Sequence, residues 1–279
     1  MIPKTDIQNL KKVAVNIRKH IVTMAARAGV SHSGSALSAV EIVTALYFRI
    51  MNINPKKPDW PGRDRFILSK GHAGAALYSV LAERGFFPRS SLKTFCLDKS
   101  SFPTHPVFSR ISGVPGVEAT TGSLGHGLAM GIGMALAAKH DKGSNRIYVM
   151  VSDGECDEGS TWEGFLYAGV KKLDNLTVFI DYNKIQSFGR TADVLDIEPL
   201  KDKLRSFRWQ VQEIDGHNFE QIIKAVEAAN NNHGKPNCII AHTIKGKGIS
   251  YMEDKLEWHY RSPDKELLKQ ALKELDNNQ

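Results

Sequence analysis

The sequence has few cysteines. Cys96, Cys156 and Cys238 are odd in number, far apart, and lack the C-x-x-C spacing of a zinc site or redox pair. A reducing cytoplasm is therefore the expected location. Long apolar runs are also missing: the longest low-charge stretch, "LGHGLAMGIGMALAAK", falls short of the roughly 20 residues a spanning helix needs, and "KTDIQNLKK" near the start is far too polar for a secretory signal. No membrane association is expected. There is no internal repeat, low-complexity tract or linker, so residues 1–279 are expected to form one domain. Basic residues outnumber acidic ones, 37 to 30, but they are scattered and no aromatic-basic platform accompanies them. That argues against nucleic acid as a partner and leaves an anionic ligand or a well-solvated exterior open.

What is present points to an α/β fold. Ile7, Leu10, Ala14, Ile17, Ile21 and Met24 recur at steps of three and four, predicting a helix that ends near Gly29. A second periodic segment runs from Leu37 to Met51 and stops before Pro55. Gly127 and Gly131, four apart in a helical string, predict close approach of that helix to a neighbour. Three runs rich in β-branched residues, at 146–151, 175–180 and 237–244, are apolar on both faces and read as buried strands. Helical patterns separate them, and Asn218 with Gln221 makes a capping box ahead of one. A last surface helix is expected to start with Ser262 as cap and Pro263 in its first turn. Strands alternating with helices imply a mostly parallel sheet covered on both faces.

The chemistry concentrates in "SDGECDEG", Ser152 to Gly159, directly after the first of these strands. In open parallel sheets, ligands bind beyond the carboxyl ends of the strands. Asp153 stands there, and Gly154 lets the backbone turn close to a ligand. The next strand ends in "IDYNKI", which brings Asn183 and the Ile185 carbonyl to the same edge. A carboxylate, an amide oxygen and a carbonyl are hard ligands suited to magnesium or calcium completed by phosphate oxygens. Taken singly, Asp153 and Asn183 equally suit turns. Glu155, Asp157 and Glu158 can also serve the N-terminus of the helix that follows, where negative charge is stabilising.

"DGECDEGSTWEG" followed by "KLDNLTVFIDYNKI" resembles the thiamine diphosphate motif of the transketolase family. "VSHSGSALSAVEIVTALYF", "RDRFILSKGHAGAALY", "TTGSLGHGLAMGIGMA", "IDGHN" and "TIKGKGISYMEDKLEWH" resemble further segments of that family in the same order. Two departures stand out. Ser152 replaces the usual first glycine of Gly-Asp-Gly, and Ser33 and Ala36 lie near His32 where full-length members carry His-Pro-Gly.

The resemblance implies the thiamine diphosphate-binding fold and that cofactor with Mg2+ (or Ca2+) on Asp153, Asn183 and the Ile185 carbonyl. It further implies cofactor contacts from His72, Gly122, Ser123, Leu124, Gly154, Glu158 and His259. His32, His105 and His259 match histidines around the C1 and C2 oxygens of a donor ketose, where a side chain that titrates near neutrality suits proton transfer. The implied reaction is transfer of a two-carbon ketol unit from a ketose (phosphate) to an aldose. The family's pyrimidine-binding domain, which carries the glutamate that protonates the cofactor ring, has no counterpart in this sequence. A separate C-terminal subunit in a heterotetramer is therefore the expected partner. A deoxyxylulose-phosphate-synthase-like or specialised sugar ketolase, and a non-catalytic subunit, remain as alternatives. His126 is left unassigned, and Lys245 and Lys247 are expected to be solvated.

Overall fold

The computed structural model describes residues 2–111 and 113–277. A five-stranded, all-parallel sheet lies at its centre, in the order β1-β2-β3-β5-β4, where β1 is Arg65–Leu68, β2 Ile147–Ser152, β3 Leu176–Tyr182, β4 Gln210–Asp215 and β5 Asn237–His242. The three predicted strands are the central ones. Along β2, Ile147, Val149 and Val151 face one core while Tyr148 and Met150 face another. Both faces are therefore buried, which is why the run is apolar without alternation.

The first core packs under α1 (Lys4–Ala28), α2 (Ser33–Ser38), α3 (Val40–Ala45) and α4 (Gly74–Arg84), together with α9 (Phe219–Asn230). The second packs under α5 (Gly127–His140) and α6 (Gly159–Val170), with α8 (Leu200–Ser206) after the single turn α7 (Thr191–Val194). Helix α1 ends as expected at Gly29, whose φ of 65° closes it in the left-handed region.

The segment expected as one helix from Leu37 to Met51 is broken. Lys70 Nζ donates to the Ser35 carbonyl at 2.9 Å, and the Ala39 N–H bonds instead to Ala36. A side chain has displaced a ladder bond. After α3 the backbone widens into a π-helical turn, Leu46–Ile50. The last helix, α10 (Lys265–Asn277), is capped not by Ser262 but by Asp264, whose Oδ1 accepts from the Leu267 N–H. Ser262 Oγ bonds instead to the Ala25 carbonyl and ties this segment to α1. The Asn218 cap forms, with its Oδ1 accepting from the Gln221 N–H, whereas Gln221 Oε1 accepts from Asp215 rather than from Asn218.

The two glycines of α5 do what their spacing predicts. A Cβ on Gly131 would lie 2.4 Å from Val149 Cγ2, and one on Gly127 would lie 2.3 Å from Ser69 Oγ, whereas one on Gly133 would meet nothing within 4 Å. Helix and sheet touch through Gly127 and Gly131. Gly131→Ala is accordingly expected to lose about 1–3 kcal/mol of unfolding free energy through overpacking, against its helix propensity. Gly133→Ala is expected to gain up to ~1 kcal/mol. Urea denaturation of both variants checks the pair, and equal effects would contradict the packing.

Candidate active site

Strands β2 and β3 are paired so that Ser152 stands opposite Asp181. The residues following each strand therefore leave the sheet at one edge. Asp153 comes directly after β2 and Asn183 directly after β3. Asp153 is 1% exposed; its Oδ1 accepts from the Gly154 N–H at 2.8 Å and its Oδ2 from the Lys184 N–H at 2.5 Å. Asn183 Oδ1 accepts from the Ile185 N–H at 3.1 Å, and the Ile185 carbonyl accepts from Lys245 Nζ at 3.0 Å. Asp153 Oδ2 also accepts from Thr191 Oγ1 at 3.3 Å, whereas Asp153 Oδ1, Asn183 Oδ1 and the Ile185 carbonyl each retain lone-pair capacity. All three residues line a cleft of about 340 Å³, within the roughly 300–1,000 Å³ range of small-molecule sites.

Burial, and then the nearby Asp181 carboxylate, push the Asp153 pKa up to about 6. A cation would relieve both effects, and the hard oxygen set matches magnesium or calcium. Among the described residues no three His, Cys, Asp or Glu side chains stand together as a metal site. The set here draws instead on one carboxylate, one amide and one backbone carbonyl. Cys156 is buried and its pKa is raised well above the ordinary value by that burial, so it stays a thiol.

Four imidazoles converge on the cleft. His32 precedes α2, His72 lies in the turn before α4, His105 in the long loop before α5, and His259 in the turn Leu256–His259. The His32 ring is 5.2 Å from His72, 5.0 Å from His259 and 6.5 Å from His105. Desolvation, aided by His105, Lys245 and Lys70, lowers the His32 pKa to about 4; desolvation and then Lys245 lower that of His259 to about 3. Burial also takes His72 well below its usual value. The expectation of histidines titrating near neutrality is thus corrected for His32 and His259. At pH 7 they are neutral, fit to donate and accept hydrogen bonds rather than to carry charge. His32 has φ 71°, an uncommon conformation for a non-glycine residue, and its N–H donates to the His259 carbonyl at 3.1 Å.

Gly154, Gly122 and Leu124 also line the cleft. A Cβ on Gly122, at φ 156°, would come within 3.2 Å of His105 Cδ2. Ser123 and Glu158 are exposed and outside that lining, with Glu158 at the N-cap of α6. His126 is exposed and its Nδ1 bonds to the Leu124 carbonyl at 2.8 Å.

Three buried charged residues stand where the sequence reading did not place them. Lys245 was expected in solvent but is 1% exposed, and its Nζ reaches His259 Nδ1 at 2.7 Å as well as the Ile185 carbonyl. Burial, then Lys70, lower its pKa to about 8. Lys70 is fully buried against Asp181, which also accepts from Ser38 at 2.6 Å and from Thr243. Glu155 is buried, accepts from Ser69 and from the Gly125 N–H at 2.9 Å, and so ties the acidic turn to the glycine loop. The signal available for the lysines was position: each follows the carboxyl end of a strand, β1 for Lys70 and β5 for Lys245.

With this geometry, the comparisons with known proteins are consistent. Residues 10–276 match the family model described as transketolase, thiamine diphosphate binding domain. The chain belongs to the transketolase family. It is 46% identical over 271 residues to the 6-deoxy-6-sulfo-D-fructose transketolase subunit SqwG of Clostridium sp. (strain MSTE9), covering 97% of this chain and 96% of that one. It is 40% identical to an apulose-4-phosphate transketolase subunit from Phocaeicola vulgatus, covering 97% and 95%. The transketolase structure from Campylobacter jejuni superposes with a TM-score of 0.88 at 32% identity, covering 99% of this chain and 43% of that one. The chain thus spans less than half of that solved transketolase.

The two lysines of "TIKGKG" and the one of "SKGH" separate by burial. Lys70→Met, which leaves Asp181 buried and unpaired, is expected to lower the unfolding free energy by about 3–5 kcal/mol. Lys247→Met, whose partner Glu253 is part-exposed, should stay within about 0.5 kcal/mol. Denaturant unfolding without added ligand reads both; a Lys70 effect as small as that of Lys247 would contradict the buried pair.

Proposed function

We propose that this chain, acting as one domain, is the diphosphate-binding subunit of a two-chain, cytoplasmic transketolase that moves a two-carbon ketol unit from a ketose to an aldose. The observation that carries the reading is the meeting of Asp153, Asn183 and the Ile185 carbonyl with four imidazoles in one cleft at the carboxyl edge of the sheet. In this reading Asp153, Asn183 and Ile185 hold Mg2+ (or Ca2+). Gly154, Gly122, Leu124 and His72 receive the thiamine diphosphate, with backbone room where the glycines lie. Ser123 and Glu158, exposed outside the cleft lining, are proposed as further cofactor contacts. When bound, the cofactor supplies the carbon nucleophile and electron sink for ketol transfer.

The protein's own part is binding, orientation and hydrogen bonding. His32, His105 and His259 face the sugar's reacting end. With His32 and His259 neutral, their rings orient hydroxyl and carbonyl oxygens without adding charge. Lys245 offers a third N–H beyond its two acceptors, and a buried ammonium favours an anion in the same cleft.

The two-chain arrangement is supported by the relatives matched over nearly their whole length, which are named transketolase subunits. The matched rat transketolase is covered over only 42% of its length. A heterotetramer of two such chains and two pyrimidine-binding partners follows as part of the proposal. The identity to subunits named for 6-deoxy-6-sulfo-D-fructose and apulose-4-phosphate, above the 37% to rat transketolase, favours an anionic, specialised ketose as donor.

Calorimetric titration of thiamine diphosphate with Mg2+ into the chain assembled with its pyrimidine-binding partner tests the site. Asp153→Ala and Asn183→Ala are each expected to weaken binding by more than the roughly 10–100-fold that loss of an outer-shell partner causes. Unchanged affinity in either variant would remove the metal assignment. Complete ketol transfer by the chain alone, assayed with ketose phosphates, would contradict the need for a second subunit.

A further inference from the structure

Lys245 is fixed from outside the cleft. It lies in the glycine-containing segment 244–248, where Gly246 has φ 81° and Gly248 has φ 95°. That segment belongs to no helix or strand, yet its backbone is held on both sides of Lys245. The Ile244 N–H donates to His217 Nε2 at 2.9 Å, and the Lys247 carbonyl accepts from Arg18 Nε at 2.9 Å. Both holding side chains end on one carboxylate. His217 Nδ1 is 2.8 Å from Glu41 Oε2, and Arg18 Nη2 is 2.7 Å from Glu41 Oε1.

The chemistry of the contacts fixes their direction. A backbone N–H can only donate, so His217 Nε2 is the unprotonated nitrogen and Nδ1 carries the hydrogen to Glu41. Burial works against the Glu41 charge, but Arg18 and His217 together hold its carboxyl below the ordinary value. The fit leaves little slack: a Cβ on Gly34 would stand 3.2 Å from Lys245 Cγ, and one on Gly248 would stand 2.9 Å from Arg18 Cδ. Arg18, Glu41 and His217 do not line the cleft.

We propose that Arg18, Glu41 and His217 are positioning residues that clamp the backbone around Lys245 and so aim its ammonium at the Ile185 carbonyl and His259 Nδ1. Glu41 joins the two halves of the clamp, one reaching Ile244 and the other Lys247. The proposal rests on the thiamine diphosphate reading for its effect on cofactor binding, but not for its effect on His259.

A double-mutant cycle with two readouts tests it. Calorimetry with thiamine diphosphate and Mg2+ is expected to show affinity falling about tenfold in both His217→Leu and Lys245→Met, with little further loss when they are combined, because the clamp acts only through Lys245. His217→Gln, which keeps an acceptor for Ile244 and a donor for Glu41, should remain within about twofold of the unsubstituted chain. The ring nitrogen NMR signals of His259, recorded without cofactor, should shift alike in His217→Leu and Lys245→Met. If His217→Leu does not fold, Arg18→Lys takes its place in the cycle, since it keeps the charge beside Glu41 and removes the Nε donor. Additive losses, or unmoved His259 signals, overturn the proposal. No heat from the unsubstituted chain assembled with its pyrimidine-binding partner, together with shifted His259 signals, would overturn the cofactor reading and leave the clamp standing.

Discussion

The in-register pairing of β2 with β3 is the constraint on which the site depends. Ser152 opposite Asp181 fixes where both chains leave the sheet, and Asp153 and Asn183 follow from that single alignment. A slip of one residue would turn each side chain to the other face. Two hydrophobic cores, one on each face, prevent that slip, because Val149 and Met150 belong to different cores. The geometry of the cleft is thus inherited from the least specialised part of the molecule.

Around these strand tips the fold buries a dense set of charges. Asp153, Asp181, Lys70 and Lys245 are all almost wholly removed from solvent. Asp181 and Lys70 satisfy one another, while Asp153 and Lys245 have neutral hydrogen-bond partners and, among the described residues, no direct ion pair. An unpaired buried carboxylate and an unpaired buried ammonium are costly unless a bound ion and an anion complete them. The same burial and lysines keep His32 and His259 uncharged, so the cleft presents neutral hydrogen-bonding rings.

Much of this was legible in the sequence because burial on both faces leaves a plain mark. The central strands β2, β3 and β5 are continuous apolar runs, and Asp153 and Asn183 stand at their ends. The edge strands left weaker marks. Strand β4, with Gln212 and Glu213 among its residues, pairs on one side only and mixes polar with buried positions, while β1 has just four residues. The break between α2 and α3 depends on Lys70, which is distant in sequence and competes for the Ser35 carbonyl; no local pattern announces it. Lys245 was misjudged for a similar reason. A lysine beside glycines in a loop has the composition of a solvated turn, and only the packing of Gly34 and the bond to His259 reveal that it is enclosed. Family resemblance carried the histidines, since nothing in their spacing brings His32, His105 and His259 together.

In the proposed function, one divalent cation bridges two strand tips and a backbone carbonyl to anchor a diphosphate. This claim is tested most directly by diffraction from crystals grown with thiamine diphosphate and Mn2+, a hard-ligand ion with an anomalous signal. The expected result is a single anomalous peak about 2–2.6 Å from oxygens of Asp153, Asn183 and Ile185, with diphosphate density beside it. Diphosphate bound in the cleft with no peak on those three oxygens, or a peak elsewhere in the chain, would contradict the claim.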